Sequence, residues 1–126
     1  MKTIASRSEN LIEVEKSKFL GIATPINSVE EFDEQLKLLK KENKKARHIV
    51  YAYRIGKKSK SNDDGEPKGT AGRPLLELLH KKDLNYLALF VIRYFGGIKL
   101  GASRLLRTYV KAGNEALNKC EIIEKE

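Results

Sequence analysis

Two short stretches hold most of the side chains in this chain that could do chemistry. The first, Asn62-Asp63-Asp64-Gly65-Glu66-Pro67-Lys68-Gly69-Thr70-Ala71-Gly72-Arg73-Pro74, sets three carboxylates among glycines. The second, Arg93-Tyr94-Phe95-Gly96-Gly97-Ile98-Lys99-Leu100-Gly101-Ala102-Ser103, sets cations among glycines. Six of the nine glycines fall in these loops. Glycine serves where the backbone takes positive φ or must approach a ligand or another backbone closely.

Carboxylates around a hydrated Mg²⁺ would suit phosphoryl chemistry, with Asp63, Asp64 and Glu66 about the metal and His48 as acid or base. The same acids could instead pair with Lys68, Arg73 or Arg93 and fix the two loops against each other, and this structural role is preferred. No catalytic residue and no metal ligand is therefore assigned; His48, Asp63, Asp64 and Glu66 remain the alternative catalytic set. Aligning Gly65 with the glycine of a calcium-binding EF-hand loop puts Lys60 and Ala71 at ligand positions, which excludes that site. In the second loop, Gly96 and Gly101 have the spacing of a nucleotide-binding P-loop, but Ala102 stands where that loop requires lysine. What survives is an anion site: backbone N–H groups at a helix start, with Lys99, Arg104 and Arg107 nearby. A tight strand-to-helix turn would use the same glycines.

The formal net charge is +8, and it is concentrated. Between Lys37 and Lys60 lie ten basic residues and the single acid Glu42, whereas the rest of the chain is nearly balanced. Such a segment can attract phosphate backbones through counterion release, or its lysines can simply solvate a helix end and a loop. Cys120 is the only cysteine, which rules out an internal disulfide, and with only His48 and His80 beside it a structural zinc site is not expected. The longest uncharged run, Phe19 to Val29, is eleven residues, well short of the roughly 20 that span a bilayer. No membrane association and no cofactor are expected, and a cytoplasmic location follows by elimination.

These loops need elements to hold them. Leu11, Ile12 and Val14, then Phe19, Leu20, Ile22 and Ile26, indicate two strands joined by a turn at Glu15 to Lys18, the second ending at Pro25. Ser28 with Glu31 fits a capping box, and Val29, Phe32, Leu36 and Leu39 repeat at helical spacing, predicting a helix over 29–42. From Arg47 to Ile55 the pattern alternates, with Ile49, Tyr51, Tyr53 and Ile55 on one face and His48, Val50, Ala52 and Arg54 on the other. The two tyrosines could stack nucleobases, though such a face is more often core. Gly56 to Gly69 reads as a long functional or mobile loop, followed by a helix over 72–82 that directs Leu75, Leu76, Leu78 and Leu79 inward. Leu84 to Tyr94 reads as a strand covered on both faces. The last helix, 102–119, is expected to bury Leu105, Leu106, Tyr109, Ala112, Gly113, Ala116 and Leu117 and to expose Arg104, Arg107 and Lys111. One domain over 1–126 is expected, with loose ends at about 1–9 and 120–126.

Taken together, Asp63-Asp64-Gly65-Glu66-Pro67, Gly69-Thr70-Ala71-Gly72-Arg73-Pro74 and Arg93-Tyr94-Phe95-Gly96-Gly97-Ile98-Lys99-Leu100-Gly101-Ala102 closely resemble the signature of the YigZ/IMPACT family. The similarity runs from Lys16-Ser17-Lys18-Phe19 through His48 and Ala52-Tyr53-Arg54 to the final helix. The resemblance implies an α/β (α+β) two-layer sandwich of about four strands and three helices, similar to the second domain of small-subunit ribosomal protein five. Eukaryotic members regulate translation by dampening a starvation-activated kinase pathway; nucleic-acid or ribosome binding is proposed for bacterial ones. Two departures bear on the transfer. Ser103-Arg104 stands where the family usually places two glycines, and the chain leaves no room for the second, ferredoxin-like domain of many bacterial members or the added domain of eukaryotic ones, so kinase-pathway regulation is not carried over.

The expected function is thus a non-enzymatic RNA- or ribosome-binding domain that acts in regulation of translation. Arg73, Arg93, Lys99, Arg104 and Arg107, with Gly96, Gly97 and Gly101, would contact phosphate, and Lys57, Lys58 and Lys60 would form a mobile basic arm. The alternatives are a metal-dependent enzyme acting on a phosphorylated small molecule and a protein-interaction module with a protein partner.

Overall fold

The alternation that marks the strands also dictates what must cover them. The computed structural model, which describes residues 1–126, has β1 (Lys2–Ile4), β2 (Ser8–Val14), β3 (Ser17–Pro25), α1 (Val29–Glu42), β4 (His48–Ile55), β5 (Lys58–Asn62), α2 (Gly72–Lys81), β6 (Leu87–Tyr94), α3 (Ala102–Asn118) and β7 (Ile122–Glu124). Five strands form one antiparallel sheet in the order β2-β3-β6-β4-β5. At its centre, β6 is buried from Leu87 through Arg93, as a strand apolar at nearly every position must be.

Each face of the sheet carries its own core. Val50 and Ala52 of β4 and Leu89 and Val91 of β6 point to α2 and α3, where Leu75, Leu79, Leu105 and Tyr109 meet them. Ile49, Tyr51 and Tyr53 point the other way with Phe90 and Ile92, against Phe32 and Leu39 of α1. Phe32 stacks parallel to Phe90 at 5.5 Å and lies 4.8 and 4.5 Å from Tyr51 and Tyr53. These tyrosines are core packing and leave no face for a nucleobase. Ser28 caps α1 by accepting from the Glu31 N–H, and the Glu31 side chain accepts from the Asn27 backbone N–H rather than from that of Ser28.

The α/β class with three helices is as the sequence indicates, and several particulars differ. There are seven strands, not about four. Because β4 and β6 send apolar side chains both ways, α1 covers the face opposite α2 and α3 and makes a third layer. The segment expected as a long loop contains β5, an edge strand whose residues are mostly exposed and which is held by its register against β4. The termini expected to be loose pair as β1 and β7, Lys2 opposite Glu124 and Ile4 opposite Ile122. Leu106 is 37% exposed, since the buried stripe of α3 runs through Leu105, Thr108, Tyr109, Ala112 and Ala116, and Leu106 sits one step round the helix from it. No helix is long and apolar enough to cross a membrane.

Candidate functional site

The first glycine-rich loop is shaped by its own acids. Asp63 Oδ1 accepts from the backbone N–H groups of Ala71 at 3.2 Å and Gly72 at 2.7 Å, and Oδ2 accepts from Gly69 at 3.0 Å. It thereby caps α2, whose own N-cap residue, Ala71, has no side chain to do so. Asp64 takes positive φ and accepts from the Ile49 N–H at 2.6 Å, tying the loop to the start of β4. Both carboxylates are engaged by backbone amides. Asp63→Ala should lower the unfolding free energy by about 2–3 kcal/mol in urea titration, because three amides lose a charged acceptor, while Asp63→Asn, which keeps an acceptor oxygen, should retain more than half of it.

Glu66 is the acid that reaches the second loop's strand. Register places His48 directly opposite Arg93 at one end of the sheet, and Glu66 enters between them. Its Oε2 accepts from Arg93 Nη1 at 2.7 Å and from the Tyr109 hydroxyl, and its Oε1 lies 3.3 Å from His48 Nε2. Glu66 and Arg93 are 4% and 7% exposed. Burial, with the Glu66 carboxylate beside it, holds the Tyr109 phenol well above its usual range, so it remains a neutral donor. Its contribution to stability is complete below about pH 10, the value of an unfolded tyrosine, and is lost only above it. The His48 Nδ1 lies 2.6 Å from the Asp64 carbonyl oxygen, which can only accept, so Nδ1 carries the hydrogen.

Beside this buried group opens a cleft of about 410 Å³ lined by Arg47, His48, Glu66, Pro67, Arg93, Phe95, Lys99, Leu100, Gly101, Ala102 and Leu105. Three cations thus face one carboxylate. Phe95 lies beneath the Arg47 guanidinium at 4.8 Å and near that of Arg93 at 5.6 Å. Gly101 and Gly97 take φ of 81° and 94° with nothing within 4 Å of an added Cβ, whereas a Cβ on Gly96 would meet the Lys16 backbone at 2.1 Å. Gly96 is therefore a packing residue, fixed to the β2–β3 turn by its N–H to Ser17 Oγ at 3.0 Å.

The structure divides the expected phosphate contacts. Arg93, Lys99 and Gly101 line the cleft, and Gly97 is on the exposed part of the same loop. Arg104 pairs with Glu15 at 3.2 Å, Arg107 donates to Ser103 Oγ at 2.7 Å, and Arg73 pairs with Glu77 at 3.3 Å, all outside the lining. Lys58 lies opposite Ile55, seven residues along β4 from His48 and so roughly 23 Å away. Lys58 and Lys60 belong to β5, and Lys57 to the turn before it, so the basic arm is largely a strand edge at the far end of the sheet. Of the alternative catalytic set, His48 and Glu66 meet in the cleft, while Asp63 and Asp64 face the backbone amides named above. The sequence reading missed Arg47, counted only as charge, and the hydroxyl of Tyr109, read only as core. Adjacency to His48 was the one signal for Arg47; none in the sequence connects Tyr109 to Glu66.

The sequence model of the Impact N-terminal domain matches residues 15–117. The chain is 42% identical to the IMPACT family member YvyE of Bacillus subtilis over 98% of this chain and 58% of that protein. Across the first four relatives it matches, the chain spans 54 to 58% of their length. A crystal structure described as that of a hypothetical protein superposes with a TM-score of 0.94 at 30% identity, covering 98% of this chain and 63% of the other. The two-domain translational regulator Yih1 superposes with a TM-score of 0.53 at 26% identity, over 94% of this chain and 46% of that one.

Proposed function

We propose a function from one premise, that the chain belongs to the Impact N-terminal domain family: it is an RNA- or ribosome-binding domain that acts in the regulation of translation. The observation that carries this reading is the cleft at the start of α3, where Arg47, Arg93 and Lys99 outnumber the one carboxylate, Glu66. The likeness to a protein described as a translational regulator supports the translational part. Phosphate groups of RNA would meet Arg47, Arg93 and Lys99, with Arg73, Arg104 and Arg107 around them, while Lys57, Lys58 and Lys60 would add sequence-independent attraction from the far edge of the sheet. A protein partner would add to these contacts.

The reading is tested by fluorescence anisotropy with a labelled structured RNA. Arg47→Glu combined with Lys99→Glu changes two exposed side chains and should weaken binding at least about ten-fold with only the small loss of stability that the Arg47 contact with Phe95 contributes. Full affinity in that variant would remove the cleft from the interface. A second reading, an enzyme acting on a phosphorylated small molecule, is favoured by the 3.3 Å approach of His48 Nε2 to Glu66 Oε1 in the same cleft. It predicts turnover of phosphorylated compounds that disappears in His48→Gln; absence of turnover in the native protein would dispose of it.

A further inference from the structure

The two helices that begin beside the glycine loops are finished differently. Asp63 satisfies the first amides of α2, but α3 begins at Gly101 with no side-chain cap. The first bond within α3 runs from the Leu105 N–H to the Gly101 carbonyl, so the amides of Ala102, Ser103 and Arg104 have no intrahelical acceptor. Gly101 and Ala102 both line the cleft. Independently of the helix end, Arg93, which lines the cleft and whose side chain is 7% exposed, is incompletely bonded: its Nη1 donates to Glu66, whereas its buried Nε has no partner. Arg47 and Lys99 are exposed and form no ion pair, unlike Arg73 and Arg104. The uncapped helix start at Gly101 and Ala102, the incompletely bonded Arg93 and the two cations without an ion pair all belong to the lining of one cleft.

Charge and shape narrow what fits there. Three cations against one carboxylate leave two positive charges, which suits a phosphomonoester, at −1.5 to −2 near pH 7, better than the single charge of an internal phosphodiester. Glu66, Arg93 and Leu105 of the lining are buried, whereas Arg47, Lys99 and Ala102 are exposed, so the cleft has a buried part and an exposed part. About 410 Å³ lies within the range of small-ligand sites. Pro67, Leu100 and Leu105 supply apolar lining for the body that carries the phosphate.

We propose that this cleft is a receptor for a terminal phosphomonoester, with the phosphate at the start of α3 between Arg47, Arg93 and Lys99. That the body is a nucleoside rests on the RNA reading, and the chemistry is shared by a free nucleoside 5′-monophosphate and by the 5′-phosphate end of an RNA strand. A site of this kind counts ends, where a merely basic surface counts length.

The experiment compares binding of the full chain to one oligoribonucleotide bearing either a 5′-phosphate or a 5′-hydroxyl, with adenosine 5′-monophosphate and adenosine as competitors. The 5′-phosphate should tighten binding about ten-fold or more, and the monophosphate alone should compete. Ala102→Asp should remove both effects, because a carboxylate then occupies the phosphate position, while favouring the fold through the helix dipole. Lys99→Ala, at an exposed position, should reduce both effects without the added negative charge. Equal binding of the two RNAs with no competition by the monophosphate would overturn the proposal and leave the RNA reading standing. Monophosphate binding without any RNA binding would support the pocket with a free nucleotide as its ligand and sink the RNA reading. Failure of every probe would overturn both.

Discussion

Replacing Glu66 by alanine is expected to lower the unfolding free energy by about 3–5 kcal/mol. The glutamate is buried with Arg93 and accepts from its guanidinium and from the Tyr109 hydroxyl. Removing it leaves an uncompensated buried cation and a buried phenol without an acceptor. The loss should be visible as a lower urea midpoint with an unchanged slope. Replacing both partners with apolar residues of similar volume, Glu66→Leu with Arg93→Met, should recover part of the stability, since the desolvation of two charges offsets much of their attraction while the Tyr109 hydroxyl still lacks its acceptor. That double variant should nevertheless bind RNA poorly. Stability of the pair and binding by Arg93 are thus separable. A single Glu66→Ala variant as stable as the native chain would mean that Arg93 has another acceptor and that the two loops are not joined through this pair.

The second large effect concerns two adjacent glycines with opposite needs. Gly96→Ala should cost about 3 kcal/mol, because its Cβ would sit 2.1 Å from the Lys16 carbonyl carbon and 2.5 Å from the Ser17 nitrogen. Those are backbone atoms of the β2–β3 turn, whose residues Glu15 and Lys16 already take positive φ, so neither side can yield cheaply. Gly97→Ala should cost only about 1–2 kcal/mol, the strain of an L-residue at positive φ, since open space surrounds it. Thermal unfolding of the two variants decides the order. Equal losses would show that the second loop is not seated on that turn.

The sequence made some of this legible and hid the rest for identifiable reasons. Helix α1 is found at 29–42 because Ser28 and Glu31 mark its start and a four-residue apolar stripe marks its face. The two faces of β4 follow from strict alternation. Strand β5 leaves no such trace: Lys58-Ser59-Lys60-Ser61-Asn62 lies at an edge, and backbone pairing with β4 holds it where no apolar pattern could. Asp63 and Asp64 look like metal ligands or acid–base groups when only residue type is visible, yet their bonds go to nearby backbone amides. The meeting of Glu66 with Tyr109, 43 residues on, depends on how α3 crosses the sheet. Among the glycines, composition gives the crowding, but only packing separates Gly72 and Gly96, pressed against backbone, from Gly97 and Gly101, which face open space.

The most direct measurement is the affinity of the chain for a labelled structured RNA at a series of salt concentrations, for the native protein and for Arg47→Glu with Lys99→Glu. The cleft reading predicts that log affinity falls steeply with log salt in the native protein, and that the double variant is weaker throughout with a slope shallower by roughly 1.5. Native protein that does not bind, or a variant with the same affinity and the same slope, would contradict it.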